Sequence, residues 1–319
     1  MRADLSVDLG AGIVLPHPVM AASGCLGYGR EGTGLVDARR LGGIVTRTIT
    51  LEPSAGAAPP RLASTPSGLL TAIGLQNPGI DSFLDEDLPA LAALGPPIVL
   101  SIGGRRIEEF LRIAHAVHEV PGIVALEIYL SSPDEERHGT FASRMDRTIE
   151  LVGAVSRLTR LPVFAKLPLL GAELVDTAHA CVRAGAHGIT LIDGAPGLAI
   201  DARTRRPALA SAYGLVSGPT LRPMALAAVH RVASALPHVP VIGVGGIASG
   251  TDAIEFLLAG AWAVQVGTAM LVDPAAPVRI VRELVDELEV QGVGSVRELR
   301  GALRGDVGAE IPTDERPRR

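Results

Sequence analysis

The 319-residue sequence predicts a (β/α)8 barrel. Three observations predict it: eight short apolar, β-branched runs recur along the chain, helical patterns separate them, and no linker divides the sequence. Most of the runs are continuously apolar, as parallel strands buried on both faces are. The remaining alternative is an open, doubly wound sheet. The runs, in order, cover residues 19–22, 43–46, 97–100, 124–128, 162–165, 188–192, 239–242 and 263–266.

The segments between these runs carry helical patterns. Residues 146–157, 173–184 and 222–235 have the spacing of amphipathic helices. Gly185 and Gly260 directly precede predicted strands, where a glycine allows the left-handed conformation that ends a helix. Residues 5–16, with a Gly-Ala-Gly turn at 10–12, predict a small hairpin that closes the bottom of the barrel. We therefore expect a single barrel domain over residues 1–319, of which 312–319 form a polar tail.

Composition excludes several classes of function. The net charge is −5 and aromatic residues make up 3%, which argues against a nucleic-acid surface. Cys25 and Cys181 lie far apart, so that neither a zinc spacing nor a disulfide framework is present, and we expect no metal site. No apolar run reaches the roughly 18 residues of a membrane span. The first ten residues contain acids and no apolar signal core. We expect a soluble, cytoplasmic protein.

Three βα connections are unusually long. They cover residues 50–81, 131–143 and 194–220 and follow predicted strands 2, 4 and 6. Long loops in compact domains are usually functional, and in a barrel such loops form the rim that holds the active site. The segment 131–143 is a candidate lid.

Glycines end the last two predicted strands. Gly245 and Gly246 follow strand 7, while Gly267 and Thr268 follow strand 8. Glycines let backbone N–H groups approach an anion, and this end of a barrel is a recurrent phosphate site. The alternative is a set of tight turns without a ligand.

Lys166 is the only lysine of a chain with 29 basic residues, and it ends predicted strand 5. An unpaired ammonium is costly to bury, so Lys166 must meet an anion, a phosphate or an electron-rich cofactor. The alternative is a structural ion pair with a carboxylate such as Glu127. Ser132, in a Ser-Ser-Pro turn after strand 4, is a candidate proton-transfer group.

Several motifs together resemble the class 1 dihydroorotate dehydrogenases, most closely type 1B. They are ASG at 22–24, ITLEP at 49–53, TPSGLLTAIGLQNPG at 65–79, IDARTRRP at 200–207, LVSGP at 215–219, VGGI at 244–247 and VGTA at 266–269. The resemblance runs from about residue 18 to residue 274. It implies an FMN-binding (β/α)8 barrel that oxidises a dihydropyrimidine ring to its C=C form. It also implies a homodimer and an iron–sulfur flavoprotein as electron-transfer partner.

The resemblance implies roles for individual residues. The FMN phosphate would lie on the glycines of strands 7 and 8, and Lys166 would reach the flavin ring, where a fixed positive charge stabilises negative charge. The cofactor set that it implies is Ala22, Ser23, Arg47, Thr48, Ser101, Lys166, Ile192, Gly218, Gly245, Gly246, Gly267 and Thr268.

The departures from the family pattern lie on the substrate side. The family grips its substrate with four asparagines, and this chain has Thr71, Tyr129, Asp134 and Asp193 at those positions. The family's catalytic cysteine corresponds to Ser132, and Arg47 stands where a lysine usually ends strand 2. Tyr129 would fill space, stack on a ring or donate a proton. The predicted catalytic residues are Ser132, Lys166 and Tyr129, and the predicted substrate-binding residues are Arg47, Thr71, Tyr129, Asp134, Asp193 and Gly194.

These changes leave three interpretations. An ionised aspartate only accepts hydrogen bonds, whereas asparagine both donates and accepts. The first interpretation is therefore an FMN oxidoreductase acting on a C–C bond beside a carbonyl or imine in a small molecule other than dihydroorotate. The second is a genuine dihydroorotate dehydrogenase with altered recognition. The third is a flavin-binding subunit that is non-catalytic or depends on a partner.

Overall fold

Eight parallel strands close into a barrel in the computed structural model of the chain, which describes residues 3–28 and 35–305. The barrel confirms the predicted (β/α)8 class, and the open-sheet alternative is wrong. Each barrel strand pairs with its neighbour in sequence, and strand 8 pairs with strand 1. Barrel strands 1 to 8 are Val19–Ala21, Ile44–Val45, Ile98–Ile102, Ile123–Tyr129, Val163–Leu167, Gly188–Leu191, Val241–Val244 and Ala263–Val266.

The strand register places polar side chains of three neighbouring strands next to one another. Tyr129 at the end of strand 4 lies opposite Lys166 of strand 5, and Lys166 lies opposite Thr190 of strand 6. Every residue of strand 5 is buried, because helices cover the outside of the barrel and side chains fill its interior. The strand ends therefore present these side chains at one mouth.

Helices surround the barrel. The predicted segment 222–235 is a helix with those bounds, and Gly185 and Gly260 adopt φ angles of +113° and +109° after the helices that they end. The α-helices are Ile80–Ser82, Leu88–Ala92, Ile107–Val117, Met145–Leu158, Leu174–Arg183, Arg222–Ala235, Gly250–Leu258, Thr268–Val272 and Ala276–Gln291. A π-helical turn, Phe83–Asp87, joins the first two. Short 3-10 turns lie at Ala38–Arg40, Phe141–Ser143, Gly171–Glu173, Pro219–Leu221 and Val296–Leu299.

The predicted N-terminal hairpin is present. Val7–Asp8 pairs antiparallel with Val14–Leu15. His187, which precedes strand 6, donates from Nε2 to the carbonyl oxygen of Leu9 at 2.7 Å. The hairpin therefore lies at the N-terminal end of the barrel, opposite the mouth. One buried apolar core extends from Val7 to Leu299. The single-domain assignment stays a prediction, and the polar tail 312–319 lies outside the described residues.

A four-stranded antiparallel sheet, here called the rim sheet, lies at the mouth and was not predicted. Two of the long connections build it, and its strands in order are Ala195–Gly197, Gly214–Ser217, Gly68–Thr71 and Leu62–Thr65. The central pairing joins Leu215 to Thr71 and Val216 to Leu70, across almost half of the sequence. A separate two-stranded pair joins Ile200–Asp201 to Arg206–Pro207.

No helix within residues 3–28 and 35–305 is long and apolar enough to cross a membrane.

Candidate active site

Two joined cavities open at the C-terminal mouth of the barrel. The first, here called the loop cavity, has a volume of about 750 Å³, and the second, the glycine cavity, about 730 Å³. Both volumes fall within the range of ligand pockets, ~300–1,000 Å³. The two cavities share a wall formed by Ser23, Gly24, Arg47, Thr71, Ile73, Lys166, Asp193 and Leu215. Because this wall is shared, a ligand in one cavity lies beside a ligand in the other.

The glycine cavity contains most of the predicted cofactor set. Its floor is formed by the ends of strands 7 and 8, where Gly245 and Gly246 have φ angles of +128° and +78°. A Cβ on Gly246 would lie 2.9 Å from the backbone nitrogen of Arg222, so only glycine fits this turn. Thr268 donates to the Ser217 hydroxyl at 2.8 Å. Ala22, Ile192, Gly194, Gly218 and Gly267 also line this cavity.

A chain of hydroxyl groups runs from the shared wall into the barrel. The oxygens of Ser23 and Thr48 lie 3.4 Å apart, and those of Thr48 and Ser101 lie 2.9 Å apart. Ser23 and Thr48 line the loop cavity, whereas Ser101 is fully buried behind them. Ser101 therefore does not line a cavity as the prediction requires, and it reaches the site only through Thr48.

Lys166 lies in the shared wall and is also ion-paired. Its Nζ lies 3.2 Å from Oε1 of the buried Glu127, whose Oε2 accepts hydrogen bonds from Thr190 at 3.0 Å and Gln265 at 2.9 Å. Burial acts to lower the pKa of Lys166, but the carboxylates of Glu127 and Asp193 outweigh it and raise the pKa. Lys166 is therefore a fixed positive charge at the junction of the cavities: the predicted ion pair with Glu127 is present, and contact with a ligand stays a prediction.

Three unusual side chains face the junction beside Lys166. Burial, followed by the charge and contact of Asp193, raises the pKa of the Tyr129 phenol well above its ordinary value. The Oδ2 atom of Asp193 is buried and has no hydrogen-bond partner among the described residues. Arg47 is half-buried and forms no ion pair or hydrogen bond with another described residue. The site thus offers a free acceptor and a free cation to a ligand.

Ser132 lies immediately behind the wall of the loop cavity. Its hydroxyl is buried and has no hydrogen-bond partner within residues 3–28 and 35–305, although Ser131 and Pro133 on either side line the cavity. A Cβ on Gly103 would lie 3.0 Å from the Ser132 hydroxyl and 2.7 Å from the Thr48 methyl group. The glycine therefore makes room for Ser132 beside Thr48, which itself lines the cavity.

The prediction that Asp134 binds substrate does not fit the structure. Asp134 lines neither cavity, and both its carboxylate oxygens accept hydrogen bonds from Arg147, at 2.7 and 3.2 Å. Both side chains are buried, and a buried carboxylate requires such a partner. The family pattern predicts Asp134 in the cavity, but its ion pair with Arg147 on the following helix holds its side chain outside the cavity.

Residues in the rim sheet and beside it belong to the site and were missed by sequence reasoning. Ile73 and Leu215 line both cavities, and Ser217 binds Thr268. The Pro-Ser turn between Leu62–Thr65 and Gly68–Thr71 is the local signal that could have revealed a hairpin. The pairing of this hairpin with residues 214–217 has no local signal. No group of three or more potential metal-ligating side chains lies within the described part of the chain.

Comparison with known proteins gives a consistent answer. The sequence model of a family described as dihydroorotate dehydrogenase matches residues 6–288. A relative from Geotalea daltonii is 43% identical over 304 residues, covering 95% of this chain and 99% of the relative. Relatives from Geobacter sulfurreducens and Desulforudis audaxviator are each 42% identical, over 303 and 293 residues. The match to the Geobacter sulfurreducens relative covers 95% of this chain and 99% of that relative. The match to the Desulforudis audaxviator relative covers 92% of this chain and 95% of that relative.

All three relatives are named dihydroorotate dehydrogenase B (NAD(+)), catalytic subunit. The match extends over the barrel and over both connections that form the rim sheet. The chain therefore belongs to the dihydroorotate dehydrogenase family.

Proposed function

We propose that this chain is the catalytic subunit of a dihydroorotate dehydrogenase that uses FMN and recognises its substrate through altered side chains. The family consists of FMN-dependent oxidoreductases that act on CH–CH bonds. The observation that carries the proposal is the junction of the two cavities, where Lys166 and Arg47 lie in the wall shared by the glycine-lined cavity and the loop cavity. Of the three interpretations of the sequence, the names of the relatives favour this one over an altered substrate or a non-catalytic subunit.

The glycine cavity fits FMN. Gly24, at φ +80°, has no atom within 4 Å of the place where a Cβ would stand, so a flat ring can approach its backbone. Gly245, Gly246, Gly267 and Thr268 would hold the phosphate, because glycine N–H groups and a hydroxyl are suitable donors to an anion. Ala22, Ser23 and Ile192 would border the ring, with Lys166 at its edge. When bound, FMN supplies the acceptor for the hydride of a substrate C–H bond.

Arg47 and Asp193 offer complementary groups to dihydroorotate. The substrate carries a carboxylate, which suits the unpaired guanidinium of Arg47. It also carries ring N–H groups, which suit the free Oδ2 of Asp193. Thr71 and Gly194 complete this part of the wall. The carboxylate and a ring N–H group of the substrate would therefore find partners, although the amides of the family pattern are absent.

Ser132 is the proposed relay for the substrate proton: its oxygen would accept the proton from carbon while its own hydroxyl proton passes to a water molecule. Its buried hydroxyl has no partner within the described residues and lies directly behind the cavity wall. Tyr129 would act as a hydrogen-bond donor, because its raised pKa keeps the phenol protonated and the phenol contacts the Asp193 carboxylate.

A different substrate is a second candidate, favoured by the carboxylate of Asp193. A negative charge at the junction opposes a substrate carboxylate and suits an amine or another N–H donor. This candidate keeps the flavin and the C–C bond chemistry and changes only the molecule oxidised.

The names of the relatives also support a partner. They are called catalytic subunits and carry NAD(+) in their names. We propose that an iron–sulfur flavoprotein accepts the electrons from this chain, that the chain forms a homodimer, and that it works in the cytoplasm.

An anaerobic spectrum tests the proposal directly. The protein is purified, its visible flavin spectrum is recorded, and dihydroorotate is added without oxygen. Prompt bleaching of the flavin supports dihydroorotate oxidation. A flavin that stays oxidised with dihydroorotate but is reduced by dithionite contradicts the proposal and favours the second candidate, to be tested next with amine-bearing substrates.

A further inference from the structure

The segment that carries Ser132 is attached to one buried arginine. Arg147, in the first turn of helix Met145–Leu158, has a side chain that is 4% exposed. It donates two hydrogen bonds to Asp134, at 2.7 and 3.2 Å, one to Glu136 at 2.9 Å and one to Glu150 at 2.6 Å. Two of these three carboxylates belong to the connection after strand 4. The arginine therefore ties that connection to the helix that follows it.

The same connection is folded back on itself around Ser132. The carbonyl oxygen of Ser132 accepts a hydrogen bond from the Phe141 nitrogen at 3.1 Å, and the Asp134 nitrogen donates to Gly139 at 3.0 Å. The Phe141 carbonyl oxygen in turn accepts from the Thr148 hydroxyl at 2.9 Å, next to Arg147. The Arg147 guanidinium lies 5.5 Å from the centre of the Phe141 ring. Both sides of the turn are thus fixed to the helix that carries Arg147.

This arrangement differs from a free lid. A lid is held by few contacts and opens by rotation about its ends. Here a bidentate ion pair with side chains 4% and 1% exposed holds the segment two residues after Ser132. Arg147 and Asp134 form a planar, two-bond contact that a lysine cannot reproduce.

We propose that Arg147 is a positioning residue that sets the place of the Ser132 hydroxyl through Asp134. The proposal rests on the proposed function, in which Ser132 accepts the substrate proton. Arg147 lines neither cavity and acts only through the segment that it holds. Gly103 makes room for the Ser132 hydroxyl beside Thr48, and the arginine holds the same segment two residues later, at Asp134.

The variant Arg147→Lys tests the proposal with the charge retained. Arg144→Lys is its matched control, because Arg144 lies in the adjoining turn and pairs with Asp146 at the surface, where the two side chains are 51% and 61% exposed. We expect Arg147→Lys to keep its flavin and to slow anaerobic flavin reduction by dihydroorotate roughly 10- to 100-fold, since a misplacement of about 1 Å can cost that much. The dissociation constant for dihydroorotate should change much less, and the control should behave as the unchanged enzyme.

A double-mutant cycle separates positioning from general stability. If Arg147 acts through Ser132, then Arg147→Lys combined with Ser132→Ala reduces flavin no more slowly than Ser132→Ala alone. Additive losses overturn the inference. A normal rate in Ser132→Ala overturns the proposed proton step and this inference with it. A normal rate in Arg147→Lys beside a slow Ser132→Ala overturns this inference alone.

Hydrogen exchange supplies a test that needs no substrate. In Arg147→Lys, we expect the amides of Phe141 and Ala142 to exchange at least about 10-fold faster than in Arg144→Lys, because their bonds close the turn around Ser132. Equal exchange in the two variants overturns the inference, whichever substrate the enzyme oxidises.

Discussion

The glycine cavity and the loop cavity meet at Lys166, but the chain builds them in different ways. Backbone turns define the glycine cavity, with Gly245, Gly246 and Gly267 at the ends of two strands. Charged and polar side chains define the loop cavity, among them Arg47, Asp193 and Tyr129. A cavity made by backbone geometry tolerates few substitutions, since a Cβ added at Gly245 or Gly246 would collide with its surroundings. A cavity made by side chains changes its chemistry without changing the fold.

Removal of the charge at the junction should have the largest effect. We expect Lys166→Met to slow flavin reduction about 100- to 1,000-fold and to lower the reduction potential of the bound flavin, because a fixed positive charge is lost. Stopped-flow absorbance and spectroscopic redox titration measure both. Glu127→Gln is the comparison variant, since it keeps the lysine and removes the charge of its ion-pair partner. If the flavin reduction potential is unchanged in Lys166→Met, the lysine has no electrostatic effect on the flavin, and its role is limited to the ion pair with Glu127.

A substitution in the glycine cavity should act on cofactor affinity. Gly246→Ala adds a Cβ that meets Arg222 and the Gly218 carbonyl, so we expect FMN affinity to fall at least about 10-fold. Gly12→Ala is the control, because Gly12 has a similar φ angle of +81° and no atom within 4 Å of the added Cβ. Fluorescence titration of FMN measures the difference. Equal FMN affinities in the two variants would show that the turn at Gly246 does not contribute to cofactor binding.

A matched pair of substitutions probes the loop cavity. Asp193→Leu removes the free acceptor and should raise the KM for dihydroorotate about 10- to 100-fold, the value of a hydrogen bond to a charged group. Asp193→Asn keeps one acceptor oxygen and should change the KM for dihydroorotate much less. Steady-state kinetics with both variants measure these KM values. A KM that falls in Asp193→Asn would indicate that the carboxylate opposes this substrate, as the second candidate function requires.

The smallest expected effect concerns stability at the edge of the loop cavity. Hydrogen bonds from Arg147 hold the pKa of Asp134 below its usual range. The stabilising contribution is therefore fully present above the ordinary pKa of about 4 and is lost as pH falls through the lowered value. We expect Asp134→Asn to lower the Tm at pH ~7 by about 3 to 6 °C. At low pH, the Tm of the variant should approach the Tm of the unchanged protein.

Thermal melts across the acid range make this comparison. The exposed Asp146, which pairs with Arg144, supplies the control Asp146→Asn, and we expect no measurable change from it. A melting difference that persists at low pH would show that the contribution of Asp134 does not depend on its charge.

The sequence predicts the barrel better than it predicts the mouth. Strand 8 and the helix at 222–235 have the predicted bounds, since continuous apolar runs and helical spacing are local signals. Lys166 was singled out because it is the only lysine. The rim sheet was missed because its central pairing joins residues far apart in the chain. Asp134 was misplaced for a related reason, since its partner Arg147 looks like one of many surface arginines until the helix brings it inward.

The rim sheet constrains how such an enzyme can diverge. Its two central strands come from connections on different sides of the barrel, and each strand supplies the hydrogen-bonding partner of the other. An insertion or deletion in one connection that shifts its strand by one residue turns every side chain of that strand to the opposite face. Changes of length must therefore fall outside the paired strands, whereas single substitutions leave the register intact. We expect this site to diverge by exchange of side chains, with the paired segments of both connections constant in length.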